Sequence, residues 1–255
     1  MKFLGRLLLW HKLLLVVVAL LVPSALLVMF YLGNANQAVS RANLELSGAR
    51  YTRALDHFLY GVIRHRGHTN VFLNGDNQRR DPVAISAAAV DKAVAELDPI
   101  DRELGPSLNS TQEWVALKAQ WASLRDRAQT LPPDDSFVQH NELIRDALDF
   151  GAAVAMQSGM SRDPEQAMSR LVAVAKGRMP EAVNRAGIVR DRATAGVLRG
   201  YLSDGDRSMI DASRQEVTAL LAQIDRQLKW IDATDSAVQS QVAPHFQRAR
   251  DAFVT

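Results

Sequence analysis

The sequence predicts an all-helical protein: an N-terminal transmembrane helix followed by antiparallel helical bundles, read as two stacked or adjacent four-helix bundles. Three observations carry that reading. Apolar residues make up 47% of the 255 residues and aromatic ones only 6%; Ala and Leu abound, and no stretch alternates with period two. A run of twenty residues, Leu13 to Leu32, carries no charge. Turn and cap signals then cut the remainder into six or seven helices joined by short connections, and helices of that kind satisfy their apolar stripes by packing as bundles.

Leu13 to Leu32 spans roughly 30 Å as a helix, the thickness of a hydrocarbon core. Pro23 inside it is tolerable in a membrane helix when local adjustments satisfy the freed carbonyl. Lys2, Arg6 and Lys12 precede the run without an acidic companion, which predicts a cytoplasmic N-terminus over residues 1–12. A cleaved signal peptide is the alternative. Its apolar part is normally about 7–15 residues long and ends at a small-x-small site. This run is longer and leaves through Phe30-Tyr31-Leu32-Gly33-Asn34, so residues 13–32 are read as an uncleaved signal anchor and residues 34–255 as extracytoplasmic.

From Asn36 to Leu73 there is no proline, and a first helix of ~55 Å is expected. Asn74-Gly75-Asp76-Asn77 closes it with turn chemistry, and Asp81-Pro82 opens the next helix as cap and first position. That helix stops at Asp98-Pro99, or kinks there and continues to Leu104-Gly105-Pro106. Ser110 and Glu113 have the spacing of a capping box ahead of Trp114 to Leu131. Pro132 to Asp135 is a break before a helix from Ser136 to Gln157. Asp163-Pro164-Glu165 starts a further one, and Met179-Pro180-Glu181 kinks it or ends it. Tyr201 to Asp206 closes the helix that follows, Arg207 to about Ile231 forms another, and a weak break at Asp232 to Asp235 precedes a last one from Ser236.

Composition excludes several classes. With no cysteine, neither a disulfide framework nor a thiolate metal site is possible. The three cations ahead of the span account for the excess of base; 27 basic and 28 acidic residues remain beyond it, interspersed as in Arg125-Asp126-Arg127, so the sequence pI of 9.0 does not point to nucleic acid. No glycine-rich phosphate loop, Ser/His/Asp set or nucleotide fingerprint is present, and no enzymatic activity and no cofactor are expected. His65 and His68, with His57, suggest a metal site; without an acidic residue on the same face they are read instead as solvated histidines, with no metal.

One pattern departs from a generic helical protein. The stripe through Leu55, Phe58, Leu59 and Val62 continues at the same stride to Arg66, then Thr69 and Phe72 or Leu73. A guanidinium on a core-facing stripe is costly unless it meets a carboxylate, a carbonyl or a bound anion. Val62-Ile63-Arg64-His65-Arg66-Gly67 returns as Ile188-Val189-Arg190-Asp191-Arg192-Ala193, where Arg192 lies on a stripe of Ile188, Ala195 and Leu198. Either two Arg- and Ala-rich helices match by composition, or two equivalent helices in related halves each turn an arginine inward. On the second reading Arg66 and Arg192, with Arg64, Arg190, Thr69, Asn70 and Thr194, recognise a carboxylate or oxyanion through charge-assisted hydrogen bonds. The competing reading of each arginine is an internal salt bridge to a facing helix.

Ser158-Gly159-Met160-Ser161-Arg162-Asp163-Pro164-Glu165, followed by Arg178-Met179-Pro180-Glu181-Ala182 and the Arg-x-Arg-Ala of 190–193, resembles a family of bacterial sensor regions. The stretch from Arg66-Gly67 to Leu73-x-Gly75-Asp76 is similar to the family's N-terminal arm. These are the all-helical extracytoplasmic domains of methyl-accepting chemotaxis proteins and transmembrane sensor histidine kinases, of the nitrate- and nitrite-sensing kind. The resemblance covers about residues 10–230. It implies a ligand-sensing input region in the bacterial inner membrane, working as a homodimer with a small anion as ligand. Two departures stand out. Where members often carry a tyrosine after the Asp-Pro turn, this chain has Ala167 and Met168. The resemblance also implies a second membrane helix and an output module beyond Thr255, so the expectation is a fragment of a receptor. The alternative is a membrane-anchored helical interaction protein that binds no ligand.

Overall fold

In the computed structural model, residues 9–162, 165–235, 240, 242–244, 247 and 248 are described; all of the regular structure among them is helical. The chain divides into two units, Met1–Asn43 and Leu44–Thr255. Helix α1 (Leu9–Leu73) supplies the first with an apolar stretch, mean hydropathy 3.0 and entirely exposed, that is long and apolar enough to cross a membrane. Pro23 lies inside this helix, and one residue on, the Ser24 hydroxyl donates to the Leu20 carbonyl at 2.8 Å.

The second unit begins with the rest of α1 and continues as α2 (Arg80–Leu108), α3 (Thr111–Arg127) and α4 (Pro133–Gln157). Their shared core includes Tyr51, Phe58, Val62, Leu97, Trp114, Trp121, Ile144 and Phe150, a four-helix arrangement. Each such aliphatic or aromatic side chain taken out of water contributes about 1.5–3 kcal/mol. Phe58 meets Trp114 edge-on at 5.4 Å. Polar tips at the rim find partners: Tyr51 and Ser110 both donate to the buried Asp101, and the indole N–H groups of Trp114 and Trp121 donate to Asp98 and Asp91.

After Gln157 come α5 (Gln166–Ala173), α6 (Met179–Arg199) and α7 (Asp204–Thr234). A second cluster joins Ala167 and Val174 to Ile224, Leu228 and Ile231. Helix α6 packs along α7 and against α4, and its Val183 leans on the first core.

Several sequence-predicted boundaries move, each for a local reason. Helix α2 runs unbroken through Pro99 and Pro106 and ends at Asn109, whose left-handed φ of 48° lets its N–H reach the Gly105 carbonyl. Its start lies two residues earlier than expected, because Asp76 caps a 3-10 turn (Asn77–Arg79) that feeds directly into it. The Ser110–Glu113 capping box does not form; the Ser110 hydroxyl is spent on Asp101. Helix α4 begins at Pro133, where the missing N–H costs nothing, with Asp134 and Asp135 favourable in its first turn. Between α5 and α6 the chain stays helical and does not break at Pro180. It forms one π-helical stretch, Val174–Arg178, with Met179 N–H donating five residues back to Val174. Pro180 has no N–H to give, and the turn ahead of it is wound wide. A true capping box, Ser203 with Asp206, opens α7 three residues before the expected start. The expected helix start at Asp163-Pro164 and most of the segment from Ser236 onward lie outside the described residues.

Candidate functional site

Arg66 is fully buried, as its place on the apolar stripe of α1 requires. Its Nε donates to Asp191 Oδ2 at 2.9 Å, its Nη1 to the side-chain oxygens of Asn141 and of Asn184, the latter at 2.8 Å, and its Nη2 to the Asn184 carbonyl at 3.4 Å. Partners thus come from α4 and α6, and the guanidinium ties three helices together. Burial lowers its hold on the proton and the Asp191 carboxylate opposes that effect. Asp191, 1% exposed, also accepts at Oδ1 from Arg190 Nε (2.9 Å) and Nη2 (2.7 Å), and its carbonyl accepts from Asn70 Nδ2 at 2.8 Å.

Two glycines make this approach possible. A Cβ on Gly67 would stand 2.6 Å from Arg190 Nη2, and one on Gly187 would stand 2.7 Å from Arg66 Nη2. Each guanidinium therefore lies over a bare patch of the opposite helix, Arg66 of α1 over Gly187 of α6 and Arg190 of α6 over Gly67 of α1.

Arg192 is buried as well. Its Nη1 pairs with Asp134 of α4 and lies 3.5 Å from Asp206 of α7, which Arg199 holds at 2.6 Å. Burial would raise the Asp206 carboxyl, but the Ser203 hydroxyl, the Ser203 N–H and Arg199 outweigh it and keep it below its ordinary range. Phe137 of α4 lies between the two inward arginines, its ring centre 5.3 Å from the Arg66 guanidinium carbon and 3.9 Å from that of Arg192. Among the described residues, three buried polar atoms have no hydrogen-bond partner in the protein: Thr69 Oγ1, one turn beyond Arg66 on α1, Arg192 Nε and Arg199 Nε.

Of the residues singled out by sequence, the structure brings Arg66, Asn70, Arg190 and Arg192 into one network and buries Thr69 beside it. Arg64 is exposed, and the hydroxyl of Thr194 is turned back onto the Arg190 carbonyl at 2.8 Å. Both copies of the motif share one orientation: Arg64 and Arg190 face outward, Arg66 and Arg192 inward. Both inward arginines are also salt-bridged within the protein.

Sequence reasoning missed the acceptors. Asp191 stands inside the Arg-x-Arg motif itself, and Asn184 lies two helical turns before it, so both were within reach of a search of the same face. Asn141, Asp134 and Phe137 come from α4, and no spacing rule connects them to the motif. One expectation is corrected outright: His65 is not solvated. It is 1% exposed and its Nδ1 lies 2.8 Å from Nε2 of the buried His140. His140 Nδ1 faces the Ser136 carbonyl at 2.7 Å and must carry hydrogen there, so His140 Nε2 accepts and His65 Nδ1 donates. Burial drives both imidazoles down, His65 to about 4 and His140 to about 3. His57 is exposed against Glu96, and His68 is half-buried.

Comparison with curated proteins and with solved structures finds no match. A family model described as nitrate and nitrite sensing matches residues 62–254, a span that begins at the first arginine motif and takes in the second. That family is an extracytoplasmic sensor family found in chemotaxis and sensor kinase proteins. The match covers most of the chain, and the chain belongs to the nitrate and nitrite sensing family.

Proposed function

We propose that this chain is the ligand-sensing extracytoplasmic input region of a bacterial transmembrane signalling receptor, a chemoreceptor or a sensor kinase, and that it senses a small anion rather than catalysing a reaction. Residues 13–32 anchor it in the cytoplasmic membrane, residues 1–12 stay inside and residues from 34 onward lie outside. Two copies associate through α1 just beyond the anchor, where Val39 and Leu46 are 60% and 69% exposed on a helix otherwise rich in small and polar residues.

The observation that carries the ligand reading is a pair of buried arginines, Arg66 and Arg192, in a cluster with donors to spare. Four guanidinium groups (Arg66, Arg190, Arg192 and Arg199) are balanced by three carboxylates (Asp134, Asp191 and Asp206), which leaves one positive charge in excess. Thr69 Oγ1 and two arginine Nε atoms sit buried without an acceptor. A monovalent oxyanion supplies both the charge and the acceptors, and a fork of planar N–H donors suits its geometry. Arg66 and Arg192 bear the main contacts in this reading, with Arg190, Thr69 and Asn70 around them, while Arg64, which is exposed, and Thr194, whose hydroxyl is turned onto the Arg190 carbonyl, take no part.

The second reading, a membrane-anchored interaction protein without a ligand, is favoured by the fact that Arg66 and Arg192 already have carboxylate partners. Calorimetric titration of the full chain in nanodiscs with sodium nitrate and sodium nitrite, against chloride at equal ionic strength, separates the two. Binding is expected, weakened by about tenfold or more in Arg66→Lys and Arg192→Lys, which keep the charge and lose the fork. No binding of either anion to the wild type at millimolar concentration removes the sensing reading.

A further inference from the structure

We infer that Asp191 is the resident occupant of the anion seat: a planar oxyanion binds where its carboxylate stands, and ligand entry breaks the ion pair that joins α1 to α6 there. This rests on the anion-sensing reading above and adds to it the competitor that sets affinity and couples occupancy to movement.

Geometry points to this exchange. The Asp191 carboxylate is 1% exposed and receives one N–H from Arg66 on α1 and two from Arg190 on its own helix. A carboxylate and a nitrate or nitrite ion are planar, singly charged and present the same kind of two-oxygen edge, so donors that fit one fit the other. Helix backbone lies against both donors, since Gly67 and Gly187 leave no room even for a methyl group beside the guanidinium ends. A tetrahedral, doubly charged ion is the wrong shape for that slot.

The resident group also uses the donors incompletely. Thr69 Oγ1, buried one turn beyond Arg66 on α1, has no acceptor beside it. An anion with three oxygens brings one acceptor more. Both inward arginines already hold carboxylates, and two grooves of the bundle, one lined by Glu113, Gln120, Asp146 and Asp149 and the other by Arg50, Arg53, His57 and Glu96, lie away from them. An anion therefore gains these arginines by taking the place of what they hold. Once Asp191 is released from Arg66, α1 loses its ion pair to this part of α6 and keeps the neutral bonds from Arg66 to Asn184 and from Asn70 Nδ2 to the Asp191 carbonyl.

The test compares wild type, Asp191→Ala, Asp191→Asn and Asp134→Asn as full chains in nanodiscs, with nitrate, formate and sulfate against chloride at equal ionic strength. Asp191→Ala is expected to melt lower than wild type in chloride and to be restored by nitrate and by formate, not by sulfate. A seat that is free in about one molecule in ten weakens apparent affinity about tenfold, so Asp191→Asn is expected to bind nitrate at least about tenfold more tightly than wild type. Asp134→Asn removes the same charge beside Arg192 without emptying the seat, and a change within about threefold is expected there, since an exposed pair is worth little. If Asp191→Ala fails to fold, Asp191→Asn, which keeps the shape, decides the matter. Nitrate binding to wild type with equal or weaker binding to Asp191→Asn overturns the exchange and leaves the sensing reading in place. An equal gain in Asp134→Asn also overturns it, because charge alone then explains the effect. No binding by wild type or any variant removes both.

Discussion

Replacing Arg66 with alanine should destabilise the helical unit far more than the same change at Arg192, although both arginines are buried. Arg66 is 0% exposed and its carboxylate partner 1%, so its loss strands Asp191 in the interior with only Arg190, itself 60% exposed, to hold it. Removing one member of a buried pair costs about 3–5 kcal/mol. The oxygens of Asn141 and Asn184 lose their donor at the same time. For a unit of this size a melting temperature moves by roughly 2–4 °C per kcal/mol, so Arg66→Ala should lower it by roughly 6–20 °C. Arg192 differs in its partners. Asp134 is 71% exposed and rehydrates freely, and Asp206 keeps Arg199 at 2.6 Å. Its loss should cost about 1–2 kcal/mol, most of it packing against Phe137. Differential scanning calorimetry of the two variants, with the double variant Arg66→Ala/Asp191→Ala, reads this order. The double variant should melt above Arg66→Ala, since no stranded carboxylate remains. An Arg66→Ala melt within about 2 °C of wild type, or a larger loss at Arg192, would refute the reasoning.

Three further expectations concern the rest of the chain. The His65–His140 pair makes stability depend on acid: both imidazoles stay neutral in the folded protein down to about 4 and about 3, while an unfolded histidine takes a proton near 6.5. The unfolded chain binds more protons across that window, so the pair's contribution is complete above about pH 6.5 and lost progressively below it. Urea midpoints between pH 7.5 and 4 should fall accordingly, with a visibly flatter profile in His140→Gln; equal slopes in the two proteins would show that other groups dominate. For topology, alkaline phosphatase joined after Thr255 should be active, whereas activity of a cytoplasmic reporter at the same point would reverse the assigned orientation. For association, single cysteines introduced one at a time between Ala35 and Ser47 should form disulfide-linked dimers in membranes, cleanly because the chain has no cysteine of its own. Failure at every position would count against a dimer through α1.

What was legible in the sequence is what a single helix determines about itself. Stride alone put Arg66 and Arg192 on inward faces, and the structure has both there while Arg64 and Arg190 point out. The bundle class was legible for the same reason, since apolar stripes and turn residues act locally. Prolines misled where tertiary packing outweighs a local cost: Pro99 and Pro106 stay inside α2, whose buried stripe of Val90, Ala93, Leu97, Asp101 and Leu108 runs past both. Histidine misled for a related reason. His65 has the composition of a surface residue, and only the arrival of His140 from α4, with a carbonyl to fix its tautomer, makes burial tolerable.

The acceptors around Arg66 show where local reading ends and why the site has its present form. An inward arginine can be read from α1, but whether its partner is a ligand or a carboxylate depends on which helix arrives opposite. Here α6 arrives carrying its own arginine motif with Asp191 in the middle, so the segment that completes the site also fills it. That arrangement reconciles the two readings of the arginines that the sequence left open. A guanidinium cluster kept ready for an anion would be costly to leave empty in a packed interior, and an internal carboxylate removes the cost in the unliganded state. Under the proposed exchange the same carboxylate has to be displaced for the ligand to enter, which lowers affinity and makes occupancy a mechanical event at the α1–α6 contact. In that proposed exchange the salt-bridged Arg66 and the ligand-binding Arg66 are two states of one site, and the balance between them is set by Asp191.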